Sequence, residues 1–340
     1  MRVIDRQMRI GIITPAPPGS KYGNRVTALR WARILKDIGC RVSVRQEYTG
    51  EAYDLLIALH AKQSYQSVLR FHYDHPESPL IVALTGTDLY RDLRKDRRAR
   101  ESLELATRIV ALQPKASEEL RPELHDKVRV IYQSVSGKSI KARGSHSFKS
   151  IKAATRRFDI CVIGHLRPVK DPFRAARAAR LLPQSSHIRI LHVGRAMTKE
   201  MEDCARAEMR INPRYQWVGE QPQWRSHRTL AQSDLCVLSS RMEGGANVLS
   251  EAIVASVPIL ASRVAGTVGI LGEGYPGYFA VGSTRELARL MRRAETELAF
   301  LRELADWCKG LAPRFSPLRE KAAWAGLLCE LRKAMISQFA

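Results

Sequence analysis

Short apolar runs alternate along this chain with longer stretches whose apolar residues recur at helical spacing. Residues 9–14 read as a strand, closed by the breaker-rich Pro15-Ala16-Pro17-Pro18-Gly19-Ser20. From 24 to 38, Val26, Leu29, Trp31, Ile34, Leu35 and Ile38 make a helical stripe, with Asn24 as its N-cap and Gly39 as its stop. Further strands are expected at 41–44, 54–59, 80–84, 108–112 and 128–131. Strands separated by helix-length segments mean βαβ units and a parallel sheet. The rhythm breaks over 137–157, where Lys138, Lys141, Arg143, Lys149, Lys152, Arg156 and Arg157 occur without an acidic residue. It resumes with strands at 158–163, 187–193, 215–218, 234–238 and 258–261, then helices at 284–293 and 318–336. The pattern predicts an α/β protein of two doubly wound, Rossmann-like parallel-sheet domains. They comprise residues 8–135 and 158–316, joined by a basic linker over 136–157. A closing helix over 317–340 is expected to pack back on the N-terminal domain. In such folds the site lies at the carboxyl ends of the strands, here expected in a cleft between the domains.

Composition sharpens this. A length of 340 residues suits two domains, and 45% hydrophobic content supplies two cores. No apolar run approaches the roughly 20 residues of a membrane span, and the first one, at 10–13, is too short for a signal segment. Met8 offers a second possible start. Six scattered cysteines with no C-x-x-C pair suit reduced thiols, so a cytoplasmic protein is expected. Its oligomeric state is not legible. The net charge of +22 invites a nucleic-acid or membrane partner. Against nucleic acid, no binding motif is present and the basic residues are not interleaved with aromatics. Against a membrane, the basic run 91–100 contains two aspartates and a single leucine. The charge is therefore assigned to small anionic substrates, with a basic nucleic-acid-binding protein as the alternative from another class.

Several signatures are missing: G-x-x-x-x-G-K-[ST], H-E-x-x-H, G-x-S-x-G and D-x-D, and the first strand-to-helix turn holds Gly19 and Gly23 spaced G-x-x-x-G, not the dinucleotide fingerprint G-x-G-x-x-G. Without D-x-D, a nucleotide diphosphate would be held by protein cations and helix dipoles, with no metal and no cofactor expected. The segment fit for that task follows Leu238. A strand ends there, Gly244 and Gly245 allow close approach to the backbone, and a helix starts near Ala246. The amide groups of a first helical turn attract phosphate oxygens. Glu243 precedes that helix and Glu251 lies inside it, so the two carboxylates can address different parts of one elongated ligand.

Glu243 to Glu251 resembles the E-x7-E element of retaining GT-B glycosyltransferases that use nucleotide sugars. Ala255-Ser256-Val257-Pro258-Ile259-Leu260-Ala261 is similar to the end of that group's E-A-x-A-x-G-x-P-V-V-A run, with Ser256 in place of a glycine. Gly164-His165-Leu166-Arg167-Pro168-Val169-Lys170-Asp171 is similar to its G-R-L-x-x-x-K-G loop. The resemblance implies that Glu251 holds the ribose and Glu243 the hydroxyls of the transferred sugar. Backbone groups of Gly244, Gly245, Ala246, Asn247 and Val248 would hold the sugar and diphosphate. Lys170, with Arg167 or else His165 replacing the family's arginine, would neutralise the leaving group. Trp217, Val218 and Gly219 resemble the strand and turn that bracket the base.

The N-terminal half carries distinctive runs over 14–32, 58–62 and 83–90, and Gln133-Ser134 where the group has an Asn-Gly loop. These resemble the selenosugar synthases of selenoneine biosynthesis. Those enzymes join selenophosphate to UDP-N-acetylglucosamine or UDP-glucose, form a carbon–selenium bond, and release UDP and phosphate. The acceptor candidates are Gly19, Lys21, Gly23, Asn24, Arg25, His60, Lys62, Thr85, Gly86, Thr87, Asp88, Gln133 and Ser134. Asp88 is expected to orient donors or transfer a proton, or to cap a helix. The alternative within the same fold is an O-glycosyltransferase with a sugar or lipid acceptor.

Overall fold

The computed structural model describes residues 7–20, 22–137, 140 and 157–338. Lys21 and most of the basic linker lie outside them. The chain forms two compact units, one of residues 1–133 plus 317–340, the other of 134–316.

The first unit holds a six-stranded parallel sheet: β1 (Arg9–Ile13), β2 (Arg41–Arg45), β3 (Leu55–Leu59), β4 (Leu80–Ala83), β5 (Arg108–Ala111) and β6 (Val128–Val130), in the order 2-1-3-4-5-6. Helices cover both faces, so the central strands are apolar on both sides rather than alternating. Ile10, Ile12, Leu55, Ile57 and Leu59 pack on one face against Ala28, Trp31 and Leu35 of the helix Gly23–Asp37. The other face places Leu56, Ala58, Val82 and Ile109 with Val68 and Phe71 of the helix Tyr65–Asp74. The long helix Pro317–Gln338 completes the first of these layers with Trp324, Leu327, Leu328 and Leu331. Trp324 meets Trp31 edge to face at 4.9 Å, and the indole N–H of Trp31 donates to Glu320 at 3.0 Å. Glu330 of the same helix accepts from Arg129 and Arg108, and these bonds hold its carboxyl below the usual range.

The second unit repeats the plan with β7 (Phe158–Ile163), β8 (Ile188–Val193), β9 (Tyr215–Trp217), β10 (Leu235–Leu238), β11 (Ile259–Ser262) and β12 (Tyr278–Phe279). Their order is 12-11-10-7-8-9, again parallel. The two-residue β12 was not expected from sequence, because a run so short carries no period.

Each sheet reverses its winding once, between β1 and β3 in the first unit and between β7 and β10 in the second. At such a switch point the flanking loops leave in opposite directions and open a crevice beyond the strand ends. One expected cap is corrected: Asn24 lies inside the first turn, and Tyr22 stands at the N-cap with no capping side chain. Gly39 does end that helix. Its φ of +94°, with Cys40 N–H donating to Leu35 C=O and Gly39 N–H to Lys36 C=O, makes a Schellman cap.

Candidate active site

The residues flanking the β7/β10 switch point meet in one hollow. Its lining includes Gly164, His165 and Lys170 after β7, His192 on β8, and Ser239 and Ser240 after β10. The ammonium of Lys170 bonds Oε1 of Glu243, which also accepts from the hydroxyl of Ser240. Glu243 is buried, so its charge requires this pairing. Ser240 is held in turn by Ser262, whose hydroxyl donates to its carbonyl. The hydroxyl of Ser239 donates to the Asp171 carbonyl at 2.9 Å, tying the loop after β7 to the end of β10.

Two non-glycine residues stand at positions where the resembled GT-B group has glycine. Asp171 has φ +44° and Ser256 has φ +52°, both left-handed, which an L side chain adopts at a cost of about 1–2 kcal/mol. Asp171 is compensated by its buried carboxylate accepting from Arg174 Nε at 2.8 Å. Ser256 closes the helix Asn247–Val254 by the same cap as Gly39: Val257 N–H donates to Ala252 C=O, and Ser256 N–H to Ile253 C=O.

Of the donor candidates, Lys170, Glu243 and His165 come together. Arg167 is exposed and outside the hollow's lining, whereas His165 lines it and accepts from the Arg195 N–H through Nδ1 at 3.2 Å. Gly244 and Gly245 lead from Glu243 to the helix Asn247–Val254, with Ala246 at its N-cap and no capping side chain, and Asn247 and Val248 in its first turn. Glu251 lies one turn further. Trp217 donates through its indole N–H to Gly194 C=O at 2.7 Å, Val218 N–H donates to His192 C=O at 3.0 Å, and Gly219 has φ +71°.

Sequence reasoning missed several residues here. His192 is buried between the ends of β7 and β9, its Nε2–H donating to Gly164 C=O at 3.2 Å and its Nδ1 accepting from Tyr215 Oη at 3.0 Å. Burial pushes its pKa down to about 4, so the ring is neutral. A Cβ at Gly194 would fall 1.9 Å from Gly164 C=O, and one at Gly266 would fall 1.7 Å from the carbonyl oxygen of Glu243. Only glycine allows these main chains to approach so closely. Gly194 directly follows the end of β8, a readable signal once the strands are known, and Gly266 lies in the first turn of the helix Ala265–Leu271 after β11. His227, on the helix Gln223–Gln232, places Nε2 3.2 Å from Oε1 of Glu251. It looks in sequence like any core histidine.

At the first unit's switch point the acceptor candidates divide. Gly19, φ +76°, turns the loop after β1, and Gly23, Asn24 and Arg25 open the following helix. His60, left-handed at φ +75° and buried, places Nε2 3.0 Å from Thr87 Oγ1 and accepts from the Gln63 N–H through Nδ1. Of the roles open to Asp88, the geometry matches the one directed at the backbone, close to a cap. Asp88 is fully buried, and its carboxylate accepts from the N–H groups of Ala61, Thr85 and Gly86 at 2.8–3.2 Å, so it builds the loop around Gly86 (φ +135°). Lys62 is bound to Asp96 at 2.8 Å, and Gln133 donates to Thr27 Oγ1 at 2.6 Å, while Ser134 is buried at the start of the second unit. Asp92, not anticipated from sequence, is buried with Oδ2 unbonded among the described residues and 3.9 Å from His60 Nε2.

Among known proteins, residues 145–305 match the family model described as "Glycosyl transferases group 1". Structurally, the chain resembles HepE of Anabaena, solved with UDP and glucose, with a TM-score of 0.71 at 17% identity over 95% of this chain and 100% of that one. It resembles the sucrose-phosphate synthase of Thermosynechococcus elongatus with a TM-score of 0.75 at 15% identity over 97% and 100%. The lipopolysaccharide outer core galactosyltransferase WaaB gives 0.68 at 14% identity over 95% and 99%. None of the curated protein sequences matches. The fold is GT-B: two Rossmann-like parallel sheets, the second carrying the segment that matches glycosyl transferases of group 1. No helix among the described residues is long and apolar enough to cross a membrane.

Proposed function

We propose that this protein is a cytoplasmic glycosyltransferase that takes UDP-N-acetylglucosamine or UDP-glucose and transfers the sugar to selenophosphate. The observation that carries the donor half is the Lys170–Glu243 pair at the β7/β10 switch point, beside the N-terminus of the helix that bears Glu251. In this reading Lys170 turns to the diphosphate and, with His165 or Arg167, neutralises the charge that grows as the bond from sugar C1 to the diphosphate oxygen breaks. Glu243, released by Lys170, accepts hydroxyls of the sugar, and Glu251 accepts those of the ribose. No metal is assigned, since the chain lacks a D-x-D pair. The soft selenium atom attacks C1 without a general base, UDP leaves, and water cleaves the selenium–phosphorus bond to release phosphate.

The acceptor half rests on the sequence resemblance alone, and one observation favours a second reading. The unbonded Oδ2 of Asp92 near His60 suits a partner that donates a hydrogen bond, as a sugar hydroxyl does, over a bare anion. Incubation with UDP-N-acetylglucosamine, with and without selenophosphate, separates the two by mass spectrometry. A selenosugar formed only with selenophosphate supports the first. UDP release that ignores selenophosphate and requires a hydroxylated acceptor refutes it.

A further inference from the structure

We infer that His227 is a positioning residue for Glu251, and that it sets the protein's discrimination between ribose and deoxyribose in the nucleotide. The inference rests on the reading of Glu251 as the ribose-binding carboxylate.

Glu251 projects from the helix Asn247–Val254, whose neighbouring positions Leu249, Ala252 and Ile253 are buried and apolar, and its side chain is only 14% exposed. A carboxylate in that setting has several rotamers available but few compensating partners. His227 supplies one. Its ring is 6% exposed, and Nε2 stands 3.2 Å from Oε1. The imidazole thus stands against one carboxylate oxygen from the buried side, in close contact but outside hydrogen-bond geometry, so a small turn of either side chain completes the bond. Among the described residues no other side chain approaches Glu251 as an ion-pair or hydrogen-bond partner, which leaves Oε2 to a ligand. Two ribose hydroxyls presented to one carboxylate need it locked to within a few tenths of an ångström. A ring on a separate helix does this more rigidly than a flexible chain would.

His227 touches no ligand atom in this arrangement. Its effect is therefore specific: loss of the ring should lower the advantage of a ribonucleotide over its 2′-deoxy analogue, while leaving contacts to base and phosphate in place. Calorimetry with UDP and 2′-deoxy-UDP tests this on the full-length protein. Wild type should prefer UDP by roughly 10- to 100-fold, the range of a hydrogen bond to a charged group. Substitution His227→Leu should collapse that ratio to the value found for Glu251→Ala. With His227→Gln, whose amide N–H can still reach Glu251, most of the ratio should return. Because the ratio is taken within each variant, a general loss of stability weakens both ligands alike and does not imitate the effect. A wild-type ratio in His227→Leu would overturn the inference while sparing the ribose assignment. A wild-type ratio in Glu251→Ala, or no UDP binding by the wild type, would overturn that assignment and the inference with it.

Discussion

The loops after β10 and after β4 each carry a buried carboxylate and use it differently. After β10, the carboxylate of Glu243 is paired with a side-chain ammonium and a hydroxyl, partners that a ligand can displace. After β4, the carboxylate of Asp88 is wrapped by main-chain N–H groups that cannot leave without unmaking the loop. A buried acid whose partners are side chains is poised to exchange them, whereas one whose partners are backbone is scaffold. The distinction separates the donor candidates of the second unit from much of the acceptor list of the first.

Substitutions can break this contrast. The largest effect is expected from Lys170→Ala, which should lower turnover with UDP-sugar by about 10²–10³-fold, as loss of a charge-stabilising group does, with little change in melting temperature. Asp88→Ala should do the reverse. Three buried N–H groups lose their acceptor, so denaturant unfolding should show a loss of about 3 kcal/mol. UDP affinity by calorimetry should stay at the wild-type value, and a fall in affinity without a fall in stability would erase the contrast.

His192 provides a pH signature for the second unit. Its folded pKa of about 4 lies below the ordinary 6.5, so the unfolded chain binds its proton first. The stability it contributes is complete above pH 6.5 and is lost as the pH falls from there to about 4, at about 1 kcal/mol per pH unit. His192→Gln should flatten that part of the profile in urea titrations.

Glu243→Gln should sharpen the donor side. Removing the charge that holds Lys170 leaves the ammonium to the diphosphate, so UDP should bind roughly 3- to 10-fold tighter while turnover falls. Unchanged or weaker UDP binding would mean that the pair does not compete with the ligand. The smallest effect compares the two Schellman caps. Ser256→Gly should stabilise by about 1 kcal/mol, and Gly39→Ser should cost about as much, both read as shifts in denaturation midpoint.

Most of the fold was legible because parallel strands buried on both faces announce themselves as apolar runs. Eleven strands were anticipated within a residue or so, and β12 escaped through brevity. Glu243 and Glu251 were singled out because a helix start after a strand end is a local pattern, and Lys170 because its loop resembles that of the GT-B group. His192, His227, Gly194 and Gly266 were not, since each acts across the sheet on a residue far along the chain. Asp88 was visible but its role stayed open: whether a carboxylate faces ligand or backbone depends on φ at Gly86 and on the neighbouring strand end, which periodicity does not encode.

The helix Pro317–Gln338 gives the molecule an order of assembly. Trp31 lies in the first tenth of the chain, yet its indole N–H finds its acceptor 289 residues later, at Glu320. On a ribosome the first sheet must wait, with the face that Trp324 and Leu331 will cover still wet, until the helix Pro317–Gln338 has emerged. The second unit, 134–316, is contiguous and can close on itself meanwhile. Of the two units, the one whose synthesis starts first is therefore the one that is finished last.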